Sequence, residues 1–210
     1  MKIGVIDYGM GNLFSVEQAL HRLGCEVIVT ANVEELDATD ALLLPGVGAF
    51  PDAMKRLEET NLINYLQKVK ASKKPLLGIC LGMQLLFEES EEVAPTKGLG
   101  FFKGSIQRFS GVNEGKAYRV PHMGWNELEM NNRPAWLKED APAEHVYFVH
   151  SFYATNIDEA QLVAYADYSG MQVPGIVANG SITGMQFHPE KSGALGVFLL
   201  QQWLKGVASC

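Results

Sequence analysis

The stretch LLGICLGMQLLF places Cys80 between two glycines, Gly78 and Gly82, where an apolar run gives way to an amphipathic one. A free cysteine often serves as a small buried hydrophobe, but that role gives no reason for the glycines. Glycine at both flanks removes Cβ atoms that would obstruct a sharp strand-to-helix turn, so the side chain between them can project from the end of a sheet. The pattern has the form of a nucleophile elbow with sulfur in place of oxygen. A helix opening at Leu81 would add the partial positive charge of its amino end, which favours an anionic sulfur. Taken alone, the motif fits a core cysteine as well as a nucleophile, and the choice rests on a partner.

The partner expected is a histidine at another strand end, and the chain has His21, His122, His145, His150 and His188. His21 lies within a helical pattern and His145 near a strand start, where surface or satisfied polar roles suffice. His188 differs. In GMQFHPEKS it follows a strand directly, Pro189 imposes extended geometry on it, and Glu190 stands two residues on. A histidine held by a carboxylate is the base a cysteine nucleophile needs, with Glu190 fixing the tautomer and stabilising the imidazolium. His150 is the next candidate for the base. Acyl transfer also needs donors for a developing oxyanion. The Leu81 N–H is one, and Gly46 and Gly48 in LLLPGVGAF allow the amide of Val47 or Gly48 to turn toward the cysteine. That stretch lacks the GKS/T ending of a phosphate loop, and DYGMGN is not a GxGxxG.

The elements that position these residues read as a layered α/β domain. KIGVID, CEVIVT and ALLLP are strand-like and alternate with helical segments, the first being NLFSVEQALHRLG with Leu13, Val16, Leu20 and Leu23 on one face. AFPDAMKRLEET and NLINYLQKVKAS follow as helices, PLLGI as a buried strand, and LGMQLLFEES as the helix after Cys80. Alternation of this kind predicts βαβ units and a mainly parallel sheet flanked by helices. The second half predicts strands at FFKGSIQRF, AYRVPHMGWNELEM, HVYFVHSFYA and LVAYADY, then a hairpin with Asn179-Gly180 at its tip, an antiparallel extension of the same sheet. A last amphipathic helix begins near Ser192 and carries Leu195, Phe198, Leu199, Trp203 and Leu204.

With 210 residues, 47% of them hydrophobic, the chain can bury a sizeable core as one domain spanning 1–210. Cys25, Cys80 and Cys210 are odd in number and far apart, which argues for a reducing compartment rather than a disulfide framework. There is no CxxC pair for a metal. The first residues show no signal peptide and no apolar run approaches the roughly 20 residues of a membrane span, so a cytoplasmic protein is expected. A net charge of -7 without a basic cluster argues against nucleic acid or an anionic membrane as partner.

PGVG, GICLGMQ and HPE, in this order on an α/β frame, resemble the motifs of the class I, Cys-His-Glu triad glutamine amidotransferases, over essentially the whole chain. Within that family, DYGMGN at Asp7 to Asn12 and PHMGWN at Pro121 to Asn126 look like the glutaminase subunits of imidazole glycerol phosphate synthases. The resemblance implies that Cys80 attacks the side-chain amide of L-glutamine, that His188 passes a proton to departing ammonia, and that water hydrolyses the glutamyl thioester, without a cofactor. Glutamine would be held by Gln84, by backbone near Gly48, and around Ser151. Glu92 would contact its amino group, the alternative being a solvated acidic face in EESEEVAPTKG. Ammonia would pass to a (β/α)₈ cyclase subunit that makes imidazole glycerol phosphate and aminoimidazole carboxamide ribotide. Asn12, Met123, Trp125, Tyr147 and Lys191 would lie at that interface, with core packing the alternative for Trp125 and Tyr147. Rival readings are the glutaminase of pyridoxal phosphate synthase, where PHMGWN is not expected, and a non-catalytic binding protein, against which intact Cys80, His188 and Glu190 count. A cysteine peptidase of related fold would leave MGWN unexplained.

Overall fold

The computed structural model describes residues 1–137 and 140–208, and Cys210 lies outside them. The first half alternates: β1 (Lys2–Ile6), α1 (Leu13–Arg22), β2 (Glu26–Thr30), a short α2 (Val33–Asp37), β3 (Ala41–Gly46), α3 (Phe50–Glu59), α4 (Leu62–Ser72) and β4 (Leu76–Cys80). Apolar spacing makes these helices. Leu62, Tyr65, Leu66 and Val69 form the buried stripe of α4, and α1 starts where the Asn12 side-chain oxygen accepts the Ser15 N–H at 3.4 Å.

The remaining elements are α5 (Leu81–Gln84), β5 (Glu89–Ser90), β6 (Thr96–Lys97), β7 (Ser105–Arg108), β8 (Val112–Asn113), β9 (Lys116–Ala117), β10 (His122–Asn126), β11 (Glu129–Met130) and β12 (Val146–His150). They are followed by β13 (Phe152–Thr155), β14 (Leu162–Tyr168), β15 (Met171–Asn179), β16 (Ile182–Met185) and α6 (Gly193–Val207), with a 3₁₀ turn at Pro189–Lys191. The main sheet runs β11-β14-β15-β16-β4-β3-β1-β2. Its β16, β4, β3, β1 and β2 are parallel, and β11, β14 and β15 extend it antiparallel. Strand alternation divides the core. Leu42 and Leu44 pack with α3 and α4, whereas Leu43 between them packs with α1 and α6.

Three expectations are corrected. The helix after Cys80 covers only Leu81–Gln84 rather than LGMQLLFEES. The carbonyls of Leu85, Leu86 and Phe87 accept amides from Leu99, Phe101 and Gly100 instead of continuing a helix, so long-range pairing outcompetes local propensity. HVYFVHSFYA is two strands that part at Ser151, β12 pairing with β10 and β13 with β7. Much of the second half therefore lies outside the main sheet, in a four-stranded sheet β13-β7-β5-β6 and the pairs β10-β12 and β8-β9.

Candidate active site

Parallel strands end at one edge of the sheet, and there the chain turns at Cys80 with φ 55° and ψ -114°. A non-glycine residue at positive φ is strained, and close packing holds it. A Cβ on Gly82 would collide with the Leu44 carbonyl oxygen, and one on Gly78 would lie 2.7 Å from the Gly82 carbonyl oxygen. The glycines thus let the elbow approach β3 and fold back over its own strand. Gly46 of β3 stands opposite Cys80 in the ladder. As the first residue of α5, Leu81 has an N–H with no intrahelical acceptor. Gly48, at φ 104°, lies in the turn between β3 and α3, with Met10 where its Cβ would be. The Tyr8 hydroxyl donates to the Pro45 carbonyl at 2.9 Å and so ties down the start of this loop.

His188 follows β16 and lines the same cavity as Cys80. Its Nδ1 donates to Glu190 Oε1 at 2.8 Å, and both side chains are buried. The backbone around it is pinned: His188 N–H donates to Tyr147 O at 3.1 Å, and the Ser192 hydroxyl donates to His188 O at 2.6 Å. Burial disfavours the charged ring, but Cys80 and Glu190 together outweigh it and push the His188 pKa up to about 9. A protonated His188 can give a proton to a leaving group.

A cavity of about 350 Å³ opens over Cys80 and His188, within the range of small-molecule sites. Val47, Gly48, Leu81, Gln84, Glu92 and Ser151 are among the residues that line it. Of the Gln84 amide, Nε2 donates to the Phe152 carbonyl at 2.9 Å and to Gln186 Oε1 at 3.0 Å, which leaves Oε1 for a ligand donor. Glu92 Oε2 accepts the Phe50 N–H at 2.8 Å, placing a carboxylate at the amino end of α3 and beside the cavity.

The five residues expected at an interface behave differently from one another. In β10 the alternation turns His122 inward and leaves Met123 60% and Trp125 54% exposed. Trp125 stands opposite Tyr147 across the ladder, ring centroids 5.6 Å apart. Core packing is therefore not the role of Trp125. Lys191 is exposed in the 3₁₀ turn after His188, and this turn packs against both α1 and β12. Asn12 caps α1.

The pocket also takes in residues to which the sequence assigned no place in it. Pro121, Val149, His150 and Phe152 line the cavity, and Gln186 Nε2 lies 4.0 Å from Cys80 Sγ. His150 is not the base: its Nδ1 donates to the Phe152 carbonyl at 2.7 Å, and burial followed by His122 pushes its pKa down to about 3. Tyr8 lies within the DYGMGN motif, and Gln186 could have been suspected only as a polar residue beside Phe187 at the end of an apolar strand.

The glutamine amidotransferase class-I family model matches residues 4–205. The chain is 51% identical over 208 residues to the imidazole glycerol phosphate synthase subunit HisH of Geobacillus kaustophilus, covering 99% of this chain and 97% of the relative. It is 54% identical over 202 residues to that of Shouchella clausii, covering 96% of each. Among solved structures, one described as PurLQS from Thermotoga maritima shares the fold with a TM-score of 0.75 at 20% identity, covering 98% of each chain. With its motifs at one sheet edge and its whole length matched, the chain belongs to the class-I glutamine amidotransferase family.

Proposed function

We propose that the chain is the glutaminase subunit of an imidazole glycerol phosphate synthase, a single domain that hydrolyses L-glutamine and delivers ammonia to a (β/α)₈ cyclase subunit in histidine biosynthesis. The observation that carries the reading is a cysteine on a positive-φ elbow that shares one cavity with a histidine whose Nδ1 is bonded to a buried carboxylate. In this reading Cys80 Sγ attacks the side-chain carbonyl carbon of glutamine. The Leu81 N–H and the amide of Val47 or Gly48 receive the oxyanion. His188 gives its proton to the departing nitrogen, releasing ammonia and leaving a glutamyl thioester. Neutral His188 then takes a proton from water, whose oxygen attacks the thioester and frees glutamate and thiolate. Glu190 holds the ring oriented throughout.

Gln84 Oε1, Ser151 and Glu92 surround the substrate in this proposal, Glu92 facing its ammonium group. Met123, Trp125 and Tyr147, with Asn12 and Lys191 at the border, form the docking face for the cyclase. Among the described residues no helix is long and apolar enough to cross a membrane, and we place the protein in the cytoplasm. The test is incubation with glutamine alone, with the cyclase, and with the cyclase and its nucleotide ligand. Glutamate release that rises with the cyclase and is absent in Cys80→Ala supports the proposal. A cyclase that neither binds nor stimulates the chain refutes it.

A further inference from the structure

A line of hydrogen bonds runs from the exposed strand β10 to the floor of the cavity. His122 Nε2 lies 2.8 Å from Asn126 Oδ1, and Asn126 Nδ2 faces the Asp167 carbonyl at 3.3 Å. His122 Nδ1 and His150 Nε2 are 3.0 Å apart. His150 Nδ1 donates to the Phe152 carbonyl, which also receives the Gln84 amide. Neither ring can drift: His122 is sandwiched between Phe148 at 4.6 Å and Tyr168 at 4.0 Å, and both histidines are buried.

The donors and acceptors can be counted. The Phe152 carbonyl accepts only, so His150 carries its proton on Nδ1. Burial keeps both rings neutral, which makes His150 Nε2 an acceptor and requires the proton of His122 on Nδ1. His122 Nε2 then needs a donor: with Oδ1 toward the ring the line would have none at its start, so the Asn126 amide is turned to present its NH₂ and gives up the Nδ2 bond to the Asp167 carbonyl. All N–H bonds then point the same way, toward the Phe152 carbonyl, an arrangement in which each bond polarises the next.

We propose that His122 and His150 are positioning residues for glutamine: a one-way relay of neutral rings fixes the Phe152 carbonyl, and through it the Gln84 amide, with Oε1 facing the substrate. The relay starts on the strand whose outer face carries Met123 and Trp125. This inference rests on the glutaminase reading for its kinetic consequence but not for its structural one.

Nitrogen-15 NMR of ring-labelled wild-type protein near neutral pH tests the structural part. Both rings are expected as neutral Nδ1–H tautomers, and an Nε2–H tautomer or an imidazolium at either position overturns the relay. Kinetics in the complex with the cyclase and its ligand test the consequence. His150→Leu is expected to raise the KM for glutamine roughly fivefold to tenfold, the worth of one hydrogen bond, with kcat changed less than about twofold and ammonia-driven cyclisation unchanged. His150→Asn, which keeps a donor near the Nδ1 position, is expected to restore most of that KM. Combined with Gln84→Met, His150→Leu should add little, because both act at one contact. An unchanged KM in His150→Leu, or effects that multiply in the double variant, refutes the positioning role. A wild-type complex that hydrolyses no glutamine would refute the glutaminase reading instead, and the ring tautomers still decide the relay.

Discussion

Replacing Glu190 by Gln removes a charge while keeping nearly the same shape. The carboxylate oxygen lies 2.8 Å from His188 Nδ1, and the lift of that ring from 6.5 to about 9 corresponds to about 3 kcal/mol in favour of the imidazolium. Burial opposes the lift and Cys80 and Glu190 together drive it, so removing the carboxylate lowers the proton affinity of the ring. The alkaline limb of kcat/KM, set by loss of the His188 proton, is therefore expected near pH 9 in the wild type and at lower pH in Glu190→Gln. Activity near neutral pH should fall by roughly tenfold to a hundredfold rather than vanish, since the orienting carboxylate is less costly to lose than nucleophile or base. The assay is glutamate release by the cyclase complex across the pH range, with glutamine well below KM. Stability follows the same linkage. A raised folded-state pKa contributes fully below the unfolded value near 6.5 and is lost as pH rises through about 9. The Tm gap between wild type and variant should accordingly be widest on the acid side and close with increasing pH. An alkaline limb that stays in place in Glu190→Gln would show that the carboxylate does not hold the catalytic proton.

Cys80→Ala is expected to abolish glutamine hydrolysis while the cyclase still turns over with ammonium salt, and His188→Asn should be about as damaging; near-full activity in either, measured as glutamate release, removes that residue from the chemistry. Gly48→Val forces a side chain onto a backbone at φ 104° and into Met10; it should lower the cyclase-stimulated rate more than cyclase affinity, and equal losses in both would count against an oxyanion role for this loop. Stimulation itself is expected to reach ~100-fold, which corresponds to about 2.7 kcal/mol of differential partner binding, and a free subunit as fast as the complex would exclude such gating. Trp125→Ala should weaken cyclase binding by roughly thirtyfold, as for a central aromatic anchor, while Cys80 alkylation in the free subunit proceeds at the wild-type rate; unchanged affinity by calorimetry would move the docking face elsewhere.

The residues proposed to do chemistry were legible in the sequence because their signals are local. Glycines flanking Cys80 report a turn that only a backbone without Cβ atoms permits, and Pro189 and Glu190 lie within two residues of the histidine they shape. Apolar period likewise located α1, α3, α4 and the parallel strands of the first half, but not the short α2. Where the reading fell short, contacts between residues distant in sequence decided the outcome. The helix after Cys80 stops at Gln84 because amides from residues 99–101 take the carbonyls that would have extended it. Trp125 faces outward and His122 inward because the ladder with β12 sets which side of β10 is buried, a choice that alternation alone leaves open. The orientation of Gln84 depends on Phe152, 68 residues away, and on Gln186, 102 residues away. No periodicity encodes such a pairing, since a buried amide takes whichever partners the assembled fold brings within hydrogen-bond distance.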